Sequence, residues 1–260
     1  MTLDISYHKA FSGNLGRDME YKRYGFAGRP FVVFPTSQGT FYQFEDQGGV
    51  GALADFVDQG RIQLFTLDGI DSESFFNKGF DHAGRIARHE QYFDYVRDEA
   101  LPGINAIATE SNGGRQAKPI FGGCSMGAFH SSNFVFRYPH LASGLIALSG
   151  VYSVKDFFGD DRSGQIYFNS MLDYLPGMTE RSILARIKAL RLIFCCGQGD
   201  WEERMLDETR QLEKILSDKK IPAWVDYWGG DVAHDWPWWH KQLPYFMGRW
   251  LDEDLKQRLD

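Results

Sequence analysis

Residues 118–139 read KPIFGGCSMGAFHSSNFVFRYP, and within them Gly123-Cys124-Ser125-Met126-Gly127 forms a G-x-S-x-G. With 28 glycines in the chain, the pattern alone carries little weight. Its setting carries more: the strand-like run IFGG (120–123) precedes it, and a segment of helical period over 125–138 follows. A strand that enters a helix through a tight turn lifts the serine hydroxyl above a sheet, where a substrate can reach it. Positions Gly123 and Gly127 then have to be small, because side chains there would collide with the neighbouring strand and helix. The plainer alternative is a glycine-rich strand end whose serine merely caps the helix.

Outward from this segment, FVVF (31–34), IQLFTL (62–67), GLIALSG (144–150), RLIFCC (191–196) and AWVDYW (223–228) are short apolar runs bounded by turn residues. Near-continuous hydrophobicity predicts strands buried on both faces, as in a parallel sheet covered by helices. Helices are predicted over 51–59, 85–100, 125–138, 203–218 and 238–259. Earlier, ISYHKAF (5–11) and MEYKRYGF (19–26) alternate and carry charge, which suits an antiparallel hairpin. The expected fold is α/β: a mostly parallel central sheet with antiparallel leading strands and helices on both faces. Residues 151–190, with FFGDD, YFNSM and YLPGM, break the rhythm and read as a cap-like insertion over a pocket within a single domain.

Composition narrows the classes. The 260 residues are 43% hydrophobic and 15% aromatic, too apolar for a disordered chain. A net charge of −7 argues against a general nucleic-acid or anionic-membrane binder. No apolar run nears the length of a membrane span, and MTLDISYHKA lacks the character of a signal peptide. Three cysteines do not make a disulfide framework. These features give the expectation of a reduced, cytoplasmic protein, with a homo-oligomer possible. Neither H-E-x-x-H nor a phosphate-binding G-x-x-x-x-G-K-[ST] occurs, so metal hydrolysis and nucleotide binding gain no support.

A serine hydroxyl needs a histidine to take its proton, and the histidine needs an orienting carboxylate. In this architecture the partners follow in the order Ser, acid, His, each in a loop after a strand. Beyond RLIFCC the chain reads GQGDWEER. Asp200, immediately past the strand in a glycine-rich turn, is the first choice of acid. Glu202 is its rival, with a longer side chain able to reach the same nitrogen. Glu203 better suits the start of the next helix. After AWVDYW comes GGDVAHDWPWWHK, which places His234 in the loop and His240 on the final helix. His130 reads as packed or capped, and His8, His82, His89 and His140 as lying in polar surroundings. The tetrahedral oxyanion needs donors, each worth roughly 3–4 kcal/mol. The N–H of Met126 is one; the other comes from PTSQGTFYQFED, where Ser37 is preferred over Gln38.

The run FGGCSMGAFHSSNFVFRYPHLASGLIALSGVYS, the loops CCGQGDWEE and GGDVAHDWPWW, and YHKAFSGNLGRDMEYKRYG together resemble the esterase D, feruloyl esterase and mycolyltransferase family of α/β-hydrolases. The resemblance spans nearly the whole chain. It implies the α/β-hydrolase fold and a triad of Ser125, Asp200 or Glu202, and His234, acting on esters without any cofactor. The expected partner is a small-molecule ester or thioester, with Phe41, Tyr42, Trp201, Trp236 and the insertion as candidate pocket walls. Two other readings stand beside hydrolysis: acyl transfer to an alcohol on the same triad, and a binding protein that retains the fold without catalysis.

Overall fold

The computed structural model describes the backbone over residues 4–259 and side chains over 4–252. Among the described residues eight strands form one sheet: β1 (Ile5–Ser12), β2 (Arg17–Tyr24), β3 (Arg29–Val33), β4 (Ile62–Leu67), β5 (Ile120–Cys124), β6 (Gly144–Leu148), β7 (Arg191–Cys196) and β8 (Trp224–Tyr227). Their spatial order is β1-β2-β4-β3-β5-β6-β7-β8. The leading hairpin is antiparallel, with Ile5 opposite Tyr24, and β2 runs antiparallel to β4. Every later pairing is parallel. Each apolar run quoted above becomes a strand, with ends shifted by a few residues.

Alternation along these strands divides their side chains between two cores, because successive residues point to opposite faces. Val32, Phe121, Leu145, Leu192 and Phe194 pack on one face with the helices over 82–111, 126–137 and 203–218. Phe31, Val33, Ile120, Ile146, Ile193 and Cys195 pack on the other with the segment 44–57 and the final helix, Trp236–Leu259. The helix Met126–Arg137, called the elbow helix below, is buried from Met126 to Phe136. Thus both faces of the sheet are covered, as the apolar runs require.

Helix boundaries depart from the sequence reading, most at two expected helices, while the last one begins at Trp236 rather than 238. The helix expected over 51–59 is two short ones, Gly49–Ala52 and Ala54–Asp58, entered through Gly48 at φ +82°. The break falls at Leu53, whose φ of −105° and ψ of 7° leave the helical range. The helix expected over 85–100 begins at His82, capped by Asp81 accepting the Gly84 N–H at 2.8 Å. It also runs on, through a wide π turn at Val96–Ala100, into Leu101–Ser111. The wide turn ends two residues before Pro102, which has no N–H to give to a normal helical bond. His89 is corrected as well. It is 1% exposed, on the buried stripe Ile86-His89-Tyr92-Phe93, and burial holds its pKa well below the ordinary value.

Residues 151–190 hold no strand and four short helices, Lys155–Phe158, Gln165–Phe168, Met171–Gly177 and Arg181–Lys188. Val154, Phe158 and Ile166 of this segment pack with Phe75, Ile86, Met126 and Phe129 in a third apolar cluster. All three cysteines are free and buried, and burial pushes their thiol pKa values up, so Cys124 beside the elbow is a poor nucleophile. Among the described residues no helix is long and apolar enough to cross a membrane.

Candidate active site

Ser125 sits between β5 and the elbow helix at φ +56°, ψ −122°, a backbone region that side chains rarely occupy. Such strain persists where the surroundings dictate it, and here they do. A Cβ on Gly127 would lie 2.3 Å from the Phe34 carbonyl oxygen, and one on Gly123 would lie 2.6 Å from the Gly127 carbonyl carbon. Backbone against backbone leaves no room to adjust, so both glycines are required by close approach. Ser125 is the only residue from 120 to 136 that is not buried.

His234 Nε2 lies 2.9 Å from Ser125 Oγ, and His234 Nδ1 lies 3.2 Å from Glu202 Oε2. A carboxylate oxygen only accepts, so Nδ1 carries the proton toward Glu202 and Nε2 presents its lone pair to the serine hydroxyl. The geometry therefore separates the two acid candidates, and the preference for Asp200 is corrected. Asp200 is exposed and meets the histidine only through its backbone carbonyl, which accepts the His234 N–H at 3.0 Å. Trp201 explains the exchange: at φ +62° it reverses the chain, sending residue 200 outward and residue 202 inward. Glu203 opens the helix Glu203–Asp218, as expected.

Glu202 is fully buried and its oxygens are saturated with donors. Oε1 accepts from the Ser149 hydroxyl and from the Gly197 N–H at 3.3 Å, and Oε2 also accepts from the Cys196 thiol at 3.5 Å. Ser149 in turn accepts the indole N–H of Trp239 at 3.1 Å, and the same indole packs edge-on against the His234 ring. Ser149 and Trp239 escaped the sequence reading, and no local pattern marks either. The acid and histidine loops are held together by the Gly199 N–H on the Val232 carbonyl. A Cβ on Gly197 would lie 2.2 Å from that carbonyl oxygen, which is why the acid loop begins with glycine.

The oxyanion candidates lie on two neighbouring segments. Met126 opens the elbow helix, so its N–H has no intrahelical partner. Ser37 is exposed in the turn after β3, and its N–H meets no acceptor among the described residues. Gln38 is excluded as a donor because its N–H is given to Asp71 Oδ2 at 3.1 Å. Asp68 Oδ1 accepts the Phe41 N–H at 3.3 Å, so the turn is held at both ends.

Burial pushes the Asp68 carboxyl from 3.8 up to about 6, against the opposing pull of Arg17. The fold thus binds the Asp68 proton more tightly than the unfolded chain does. Its contribution to stability is complete below about pH 4 and is lost as pH rises through about 6. Asp68→Asn removes that dependence. Between pH 4 and 7.5 the variant is expected to gain on the order of 2–3 kcal/mol relative to the parent chain, read from urea unfolding at each pH.

Of the candidate pocket walls, Trp201 is 75% exposed and Tyr42 is exposed, whereas Trp236 packs on Phe44 and Trp239. His240 gives or accepts no bond with the triad; its Nε2 meets the Gln47 carbonyl at 2.7 Å. His130, on the elbow helix, is buried against Asp71, with Nε2 to Oδ1 at 2.8 Å.

A serine turn after β5, an acid after β7 and a histidine after β8, on a mostly parallel sheet with an antiparallel leading edge, define the α/β-hydrolase fold. Solved structures similar to this chain include esterases and serine hydrolases. A ferulic acid esterase matches with a TM-score of 0.70 at 17% identity, covering 94% of this chain and 96% of that one. The S-formylglutathione hydrolase FrmB of Staphylococcus aureus matches at 0.66 and 13%, covering 96% and 98%. FphF, a fluorophosphonate-binding serine hydrolase of Staphylococcus aureus, matches at 0.67 and 12%, again covering 96% and 98%. These likenesses fall on the group whose motifs the sequence resembles. No family model matches the sequence, and no curated protein does.

Proposed function

We propose that the protein is a serine esterase that hydrolyses small carboxylic esters through an acyl-enzyme. The observation that carries this reading is the unbroken hydrogen-bonded path from Ser125 Oγ through His234 to the buried Glu202. The likeness in fold to a ferulic acid esterase and to an S-formylglutathione hydrolase supports it. In the first step Ser125 Oγ attacks the ester carbonyl carbon while its proton passes to His234 Nε2. The carbonyl oxygen becomes an oxyanion held by the N–H groups of Met126 and Ser37. Collapse breaks the bond to the alcohol, which leaves with the proton from Nε2. Water then attacks the acyl carbon and gives one proton to Nε2. The acid departs as the serine oxygen recovers that proton. Glu202 keeps His234 in the useful tautomer and stabilises its cationic form.

Turnover of p-nitrophenyl esters of increasing acyl length, with acyl products identified, tests the proposal. The expected result is release of p-nitrophenol with the free acid as product, fastest for short chains and unchanged in product by added glycerol. Diversion of most acyl groups to glycerol would instead make the protein an acyltransferase. A folded chain that turns over no ester would overturn the proposal.

A further inference from the structure

We infer that Asp71, seated by His130, is a positioning residue that holds the oxyanion turn in register with the elbow helix. The inference rests on the hydrolase reading above. Asp71 is 5% exposed, and its two oxygens serve different segments. Oδ2 accepts the Gln38 N–H at 3.1 Å, and Oδ1 lies 2.8 Å from His130 Nε2. Gln38 adjoins Ser37, and His130 lies on the helix that begins at Met126. One buried carboxylate therefore spans the two segments that supply the two donor N–H groups.

Two further observations fit a device for positioning rather than simple packing. Gln38 has φ +55°, a left-handed conformation that a glutamine does not adopt by preference. The Asp71 carboxylate is the acceptor of the Gln38 N–H in that conformation; the turn's own bond, Gly39 N–H to the Thr36 carbonyl at 2.9 Å, does not fix the Gln38 peptide, so loss of the carboxylate lets that peptide and the adjoining Ser37 N–H shift. His130, for its part, has no partner for Nδ1 among the described residues. Its ring stacks on His89 at 5.2 Å. A proton on His130 is thus best placed on Nε2, where Asp71 accepts it, and the histidine orients the carboxylate as Asp71 orients the turn.

Asp71→Asn, Asp71→Ala and His130→Phe test the inference. Asparagine keeps the volume but offers one acceptor oxygen to two donors. Phenylalanine suits the rings of Phe34, Phe75 and Phe129 around His130 and removes only the donor. The readouts are kcat and KM on p-nitrophenyl acetate, affinity for a methyl trifluoromethyl ketone, and thermal unfolding. The ketone adds to an activated serine and leaves an oxyanion in the hole. In Asp71→Asn and His130→Phe, kcat should fall about ten- to a hundredfold while KM stays within about threefold. Ketone affinity should fall by the same factor, and the pH profile of kcat/KM should keep its shape because the triad is untouched. Asp71→Ala should lose more; if it does not fold, the other two variants decide. The inference fails if folded Asp71→Asn and His130→Phe keep kcat within about twofold. It fails equally if kcat drops while ketone affinity does not, since the loss then lies outside the oxyanion hole. Failure of the hydrolase reading looks different: the parent chain itself would neither turn over the ester nor bind the ketone.

Discussion

Ser125→Ala is expected to lower kcat on the best p-nitrophenyl ester by about a millionfold, with His234→Ala close behind and the double variant no worse than either. The reason is that the two side chains act as one unit. Ser125 Oγ becomes a nucleophile only as its proton moves 2.9 Å away to His234 Nε2, so removing either partner removes the same step. What remains is binding and oxyanion stabilisation, which sustain roughly a thousand- to ten-thousandfold acceleration over water. Additive losses in the double variant would mean that the serine and histidine contribute independently, contrary to the hydrogen-bonded geometry. Steady-state kinetics on freshly purified, folded variants would decide this.

The second large effect separates two acids that stand two residues apart. Glu202→Gln should reduce kcat by about a thousand- to ten-thousandfold, whereas Asp200→Asn should stay within about threefold of the parent. In the variant the Ser149 hydroxyl and the Gly197 N–H both still need an acceptor, so the amide oxygen takes the Oε1 place. The amide nitrogen then faces His234 Nδ1 and donates to it. The histidine proton is displaced to Nε2, where it points at the serine and cannot accept a proton from it. Asparagine at 200, by contrast, leaves intact the backbone carbonyl that holds the His234 N–H. A larger loss from Asp200→Asn than from Glu202→Gln would reverse the assignment.

The chemistry visible in the sequence was that which the chain order imposes. A strand–turn–helix places Ser125, and the loop after the last strand places His234, because the sheet brings those loop ends together whatever the surrounding residues are. The sequence leaves the acid between two residues because the choice turns on one backbone angle. Trp201 at φ +62° decides which side chain faces inward, and tryptophan gives no sign of adopting it. His89 was misread for a related reason: its sequence neighbours are charged, but its neighbours on the helix surface, Ile86 and Tyr92, are buried. The helix continues past Ala100 into a segment with Pro102 in its first turn, where a missing N–H costs little, and no periodicity in 85–100 announces that continuation.

Asp68 and Asp71 were not legible at all. Their roles come from adjacency of β3 and β4, which sets the loop after one strand against the turn after the other. Gly69 makes that contact possible, since a Cβ there would lie 2.5 Å from the Gly39 carbonyl oxygen. Ser149 likewise gains meaning only once β6 is set beside β7, where its hydroxyl reaches Glu202. Residues that do chemistry can be marked by local motif, but residues that hold them are marked only by contacts across the fold.

The most direct measurement is reaction with a fluorophosphonate probe, followed by intact mass and peptide mapping. In the expected chemistry Ser125 Oγ attacks phosphorus, fluoride leaves, and the serine proton passes to His234. The account predicts one adduct per chain, located on Ser125, absent in Ser125→Ala and strongly slowed in His234→Ala and Glu202→Gln. A folded chain that takes up no probe, or that carries it on another residue, would contradict the claim that Ser125 is an activated nucleophile.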